Sequence, residues 1–383
     1  MLAVIVALCL MPGINAAEPS KESRMRGAFM GSLVADALTL GTHYEYDAAK
    51  IKKFYGEIDR YYAPGEKTGG ETHGVGWGGR NFHGGNGNGP AKKAGEQTDY
   101  GDYCILILEY LASIADQTHR IELSELIPMW QNRLKTWRAW MCTQTKQTLQ
   151  QVKQGTPFDQ LGGRSNAMSL RIPAAFGTYD DEEDIVHASR TAMFTHRETT
   201  AQDGGEFFAR VTFRVIHKGM SPEEAIKDVA KTSSKFIKDK VKQALDKAAE
   251  AMDPSQQLFK EEGWMQDDLA VTSMARIWHG HGGADNSAPI KVGKASPVEG
   301  TLPASIYFIV RYAGDFAGAA KSNSAVGGDN AARSIPIGMV MGAAQGLEGI
   351  PKELGKGQLV EWDHCEKLLN KLPLLKKTSK GEL

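Results

Sequence analysis

Two acidic helix heads carry the residues best suited to chemistry. Thr98 is a good N-cap, and Asp99 and Asp102 fall in the first turn of the apolar stretch it opens, which runs through Ile105-Leu106-Ile107-Leu108 to Ala115. Far along the chain, Gly327-Gly328-Asp329-Asn330 leads into a second small, apolar stretch, residues 331–346. A carboxylate at the head of a buried helix is anchored by the core behind it while its oxygens stay at the helix end. Hard cations and activated water need that kind of rigid oxygen. The same acids have a plainer use, since negative charge at a helix N-terminus offsets the macrodipole. Asp102, three residues after Asp99, lies on nearly the same helix face and could add an oxygen. His279 and His281 have neither helical nor zinc-finger spacing and read as loop polar groups.

These groups need helices to place them, and helical patterns dominate the chain. Residues 26–40 are small and apolar, with glycines that admit a close neighbour and one conspicuous carboxylate, Asp36. Periodicity predicts further helices over 99–115, 123–139, 146–154, 185–194, 231–252 and 298–312, with capping chemistry at Ser221-Pro222-Glu223-Glu224 opening another. Residues 331–346 read as a buried helix despite Pro336, whereas 207–218 fit either helix or strand. Residues 69–95 are extremely glycine-rich and embed His73, Trp77, Phe82 and His83, a long loop that is either plainly flexible or folded over a cleft. Strand signals are scarce and no repeat is found. The expected fold is therefore all-α, a compact many-helix single-domain bundle.

With 41% hydrophobic residues and 24% charged, the 383-residue chain can bury a large core. Its net charge of −1 supplies no field for a nucleic-acid backbone or an anionic membrane, so the expected partner is a small molecule or a modified protein, with no nucleic acid and no membrane span. Residues 1–17 are uncharged and apolar, with small Ala16 and Ala17 after Pro12 and Gly13, the shape of a signal peptide cleaved after Ala16. The expected location is secreted or exported. Cys104, Cys142 and Cys365 then remain, too few and too widely spaced for a disulfide framework or a zinc fold. The globular region is expected over 24–370, with a frayed tail over 371–383.

Several blocks, in order, resemble the ADP-ribosylglycohydrolase superfamily. Gly27 to Leu38 resembles its glycine-and-acid opening helix, and Thr98-Asp99 the start of its Thr-Asp-Asp-Thr motif. Gly162-Gly163-Arg164-Ser165-Asn166 through Pro173 is similar to its substrate loop, Thr195-His196 to its central pair, and Glu299-Gly300 through Gly346 to its closing helices. The resemblance implies a helical bundle whose cleft holds two magnesium (or manganese) ions and hydrolyses ADP-ribose bonds.

The carry-over is incomplete. Tyr100 stands where the family has a second Asp, and Gly327-Gly328-Asp329-Asn330-Ala331-Ala332 stands where it has Gly-Gly-Asp-Thr-Asp-Thr. A methyl group cannot ligate a cation, so the expectation is one ion at most, on Thr98, Asp99 and Asp329 with Asp102 in support. These departures resemble the J1-crystallin-like branch of the superfamily. The resemblance further implies Asp99 or Glu45 as the catalytic carboxylate, and Arg164, Ser165, Asn166, His196 and Arg333 on the substrate. A non-catalytic nucleotide binder or a crystallin-like structural protein is the alternative.

Overall fold

The computed structural model describes residues 18–68, 83, 88–116, 119–253, 255, 263–274, 277–278, 290–291 and 294–376. The expected leader, His279 and His281 lie outside the described residues, as does most of the glycine-rich loop.

The molecule is all-α. Its helices are α1 (Lys21–Thr39), α2 (Ala48–Tyr55), α3 (Asp99–Ser113), α4 (Leu123–Leu134), α5 (Thr143–Lys153), α6 (Glu182–Ala192), α7 (Thr199–Lys218), α8 (Pro222–Thr232), α9 (Lys235–Met252), α10 (Gly263–Ser273), α11 (Val298–Arg311), α12 (Phe316–Val326), α13 (Asn330–Gln345) and α14 (Trp362–Leu369). Among the described residues, β-structure amounts to a two-residue antiparallel pair, Ile277–Trp278 with Ile290–Lys291, and isolated bridges.

The centre is the crossing of α1 and α13. Both are buried almost throughout, from Ser23 to Thr39 and from Asn330 to Ala343, so neither shows the polar stripe of a surface helix. Small residues let the two backbones meet: a Cβ built on Gly31 would lie 2.6 Å from the Gly338 carbonyl oxygen, and one on Gly27 would fall on the Gly342 carbonyl. Around this pair pack α3, α7, α11 and α12. An outer layer follows, in which α8 buries only Ala225, Ile226 and Val229 beneath a capping box between Ser221 and Glu224.

Several boundaries differ from expectation. α4 ends at Leu134, because residues 135–142 turn back, with the Trp137 indole donating to the Trp140 carbonyl at 3.1 Å. The ambiguous 207–218 stretch belongs to α7, which stops at Gly219 in the left-handed conformation. α9 begins only at Lys235, after a break at Ser233 and a new N-cap at Ser234. The tail expected to fray is instead docked as far as residue 376: Leu372 and Leu375 are buried, and Lys376 pairs with Asp116 at 2.6 Å. Buried leucines three residues apart, Leu369, Leu372 and Leu375, hold it there among the lysines. Among the described residues no helix is long and apolar enough to cross a membrane.

Candidate active site

A cleft of about 500 Å³ opens where α3, α5 and the 165–171 segment converge. The head of α3 gives Asp99, Tyr100 and Tyr103, the head of α5 gives residues 142–147, and the far wall is Ser165, Ser169, Arg171 and His196. Tyr44 and Ser296 close the end nearest α13.

Asp99 has the most unusual environment of these. Its Oδ1 is buried without a hydrogen-bond partner. Burial, then the charges of Asp329 and Asp36, pushes its carboxyl well above the usual range. Asp329, the N-cap of α13, is the opposite case. Its Oδ1 accepts from His43 Nε2 and the Ala332 amide, both at 3.1 Å, and its Oδ2 accepts from the Tyr100 hydroxyl at 3.0 Å and Ser296 Oγ at 2.6 Å. Burial alone would raise this carboxyl, but the hydrogen bonds from His43, Ser296 and Ala332 hold it below the usual carboxylate range. Two neighbouring acids are thus driven apart, one towards its neutral form and one fixed as an anion.

Other oxygens expected at a cation are engaged elsewhere. Thr98 Oγ1 donates to Asp36 Oδ1 at 2.6 Å while accepting from the Tyr100 amide, and the Thr98 amide donates to Asp36 Oδ2 at 2.8 Å. Burial lifts the Asp36 carboxyl to about 7, against the pull of those Thr98 bonds. Asp102 points to Lys92, 2.6 Å from its ammonium, instead of joining Asp99. Glu45, expected near the reaction, is buried away from the cleft lining, with Lys50 at 2.8 Å and the Asp47 amide at 3.0 Å. Two magnesium ions on an all-oxygen set therefore do not fit these residues: Asp329 is saturated by four donors, Thr98 Oγ1 already spends a lone pair on the Tyr100 amide, and Asp102 is neutralised by Lys92. The set nearest to a metal site is different in kind. Among the described residues, His43, His83 and Asp99 offer ligand atoms all within 4.8 Å of one another.

On the substrate side, Ser165 and His196 line the cleft as expected. The loop is seated on the central pair, Gly163 accepting from the Arg197 amide at 2.9 Å and donating to the Thr195 carbonyl at 3.3 Å. His196 Nδ1 meets Thr195 Oγ1 at 2.8 Å and its Nε2 lies 3.7 Å from Cys142 Sγ. Burial, then Arg171, lowers its pKa to about 3, so it is a neutral imidazole at ordinary pH. Asn166 does not offer its amide to the cleft, since it donates to Glu299 at 2.9 Å and ties the loop to α11. Arg164 is exposed and outside the lining. Arg333, expected against a diphosphate, is buried beneath α13 and braces the turn before it: Nε donates to Asn323 at 2.8 Å and Nη2 to the Gly327 carbonyl at 2.5 Å. That turn needs bracing because Gly327 and Gly328 both have positive φ, 72° and 69°, and stack on the Glu45 and Lys294 backbones.

A buried cation that does reach the cleft, beside Lys146, is Arg171. It is 1% exposed, donates to the Ala192 carbonyl at 2.9 Å and Thr195 Oγ1 at 2.7 Å, and lies 3.7 Å from the Tyr103 ring centroid. It sits inside the 162–173 motif, but an arginine amid apolar residues gives no sign of which way it points. Cys142, the N-cap of α5, and His43 give no such sign either, because the partners that place them at the site, His196 for the one and His83 and Asp329 for the other, are distant in sequence.

An all-helical protein with carboxylates at the converging heads of α3 and α13, and a polar and aromatic cleft beside them, is thus defined. The family model described as ADP-ribosylglycohydrolase matches residues 17–382, and the chain belongs to that family. A solved chain titled "ADP-ribosylglycohydrolase-related protein complex" aligns with a TM-score of 0.54 at 18% identity, covering 94% of this chain and 99% of that one, a likeness of fold. Among curated proteins there is no match.

Proposed function

We propose that the protein hydrolyses a glycosidic bond of ADP-ribose or a related ribosyl compound in this cleft. The observation that carries the reading is Asp99, a carboxyl in the wall of the cleft whose buried Oδ1 has no hydrogen-bond partner. A carboxylate whose proton affinity is raised is the group to take the proton from an attacking water. Asp329, fixed as an anion behind it, favours the charge that develops as a ribosyl bond breaks. Arg171, Lys146 and Ser165 suit the phosphates, and Tyr44, Tyr103 and Trp140 offer flat faces to a base or ribose. Export, expected from the apolar residues 1–17, would put the substrate outside the cytosol.

The closure of Thr98 and Asp329 by hydrogen bonds favours a second reading, a binder or crystallin-like protein that keeps the fold without turnover. Release of ADP-ribose from modified arginine, modified serine and small ribosyl substrates is the direct test, with calorimetric titration of ADP-ribose beside it. Turnover lost in Asp99→Asn supports hydrolysis. Binding without turnover on every substrate selects the binder, and neither binding nor turnover selects the structural role.

A further inference from the structure

We infer that His43, His83 and Asp99 form a single binding site for a borderline divalent transition ion of the zinc kind, a donor set of two imidazoles and one carboxylate in place of an oxygen cage. His43 follows α1, His83 stands in the loop ahead of α3, and Asp99 is the first residue of α3. The fold brings them together: His43 Nδ1 and His83 Nε2 are 2.7 Å apart, and the Asp99 ligand atom is within 4.8 Å of both. Zinc bonds of about 2.0–2.1 Å in tetrahedral geometry separate two ligand atoms by roughly 3.3 Å. The imidazole nitrogens then need part by only a few tenths of an ångström while the carboxylate closes in.

Two further observations point to an ion. The first is Asp99 Oδ1, a buried acceptor without a hydrogen-bond partner on a carboxylate that offers a ligand atom within 4.8 Å of the pair. The second is the carboxylate behind His43. Asp329 accepts from His43 Nε2 at 3.1 Å, which puts the imidazole proton on that nitrogen and leaves the Nδ1 lone pair facing His83 Nε2. His83 ligates through Nε2 in the tautomer that carries its proton on Nδ1, giving up the 3.4 Å contact from the Trp140 amide. Tyr100, Ser296 and the Ala332 amide hold Asp329 in turn, so the orienting group is itself fixed. A carboxylate orienting a ligating histidine is the usual support of a transition-metal site and has no counterpart in the hydrated, octahedral sites of magnesium. Imidazole nitrogen selects zinc, iron, cobalt or nickel over magnesium. Three protein ligands leave a coordination position for water, and Asp99 also lines the cleft, so that water would border the substrate space.

The inference stands apart from the glycohydrolase reading, because ion binding is measured without any substrate. The full chain, stripped with a chelator, is titrated with zinc, cobalt and magnesium ions alone. One zinc ion per chain is expected, bound at least about 100-fold more tightly than magnesium, and the cobalt form should show the visible absorption of a four-coordinate ion. His83→Gln and His43→Gln should each weaken zinc binding at least about tenfold, and Asp329→Asn, which keeps all three ligands, by about tenfold. His83→Cys guards against a folding defect: it retains a ligand, and its cobalt complex should gain a thiolate charge-transfer band. Zinc binding no tighter than magnesium, zinc affinity unchanged in both histidine variants, or no thiolate band in folded His83→Cys would each overturn it.

Discussion

The Tyr100 hydroxyl donates to Asp329 Oδ2 across 3.0 Å, a bond between the first turns of two helices that stand more than two hundred residues apart in sequence. It fills the space between α3 and α13 with a phenol and gives the Asp329 anion a fourth donor. Tyr100→Phe should therefore destabilise the fold by about 1–2 kcal/mol, the cost of withdrawing one donor from a buried charged acceptor. Urea unfolding of the two proteins measures it, and equal midpoints would show that the bond contributes nothing.

Asp99 faces opposing demands. A carboxylate with one oxygen buried and unpartnered is a liability to the fold, and its environment favours the neutral form. Asp99→Asn removes the charge at little change in shape, so at pH 8 the unfolding midpoint should rise while ribosyl hydrolysis falls at least about 100-fold. A variant that loses both stability and activity would count against a functional cost at this position.

Asp36 gives a pH dependence of known sign. Its folded pKa of about 7 lies above the ordinary value of 3.8. Below pH 3.8 it is protonated in both states, but between there and about 7 only the folded chain keeps the proton. Stability from this group is accordingly lost as the pH rises through that window, by at most on the order of 4 kcal/mol. His196, lowered to about 3, slopes the other way, so the difference between wild type and Asp36→Asn isolates the effect. The variant should gain on the wild type from pH 4 to 7, and parallel stability profiles would refute the shift.

The α1–α13 crossing has no room for a methyl group. Gly31→Ala would press a Cβ to 2.6 Å from the Gly338 carbonyl oxygen, and a helix backbone cannot yield as a flexible side chain can. A loss of about 1–3 kcal/mol or more is expected, read as a fall in the thermal midpoint.

Arg333 serves the turn and not the cleft. Arg333→Lys keeps a charge but loses the fork that reaches both Asn323 and Gly327. The unfolding midpoint should fall while the affinity for ADP-ribose stays within about twofold of the wild type. A large loss of affinity at unchanged stability would return Arg333 to the substrate.

Much of the fold was legible in the chain because helix signals are local. The N-cap at Thr98, the capping box at Ser221, the glycines of residues 26–40 and the apolar run after Asp329 each announce a helix within a few residues. Helices α2, α10, α12 and α14 were not anticipated: α2 and α14 have only eight residues, and α10 and α12 have no strong amphipathic period. The docked tail was missed because two buried leucines in a lysine-rich segment reveal their contacts only when Gly177 is in place beneath them.

Sequence by itself determined the helical class and the two acidic helix heads, since capping, periodicity and small-residue runs act over one or two turns of chain. Tertiary structure alone decided which oxygens are free. Asp99, Asp102 and Asp329 are chemically the same side chain, yet one keeps a buried oxygen without a partner, one is paired with Lys92 and one is saturated by four donors. Those partners come from the ends of other elements, and long-range packing, which no local pattern encodes, brings them within reach.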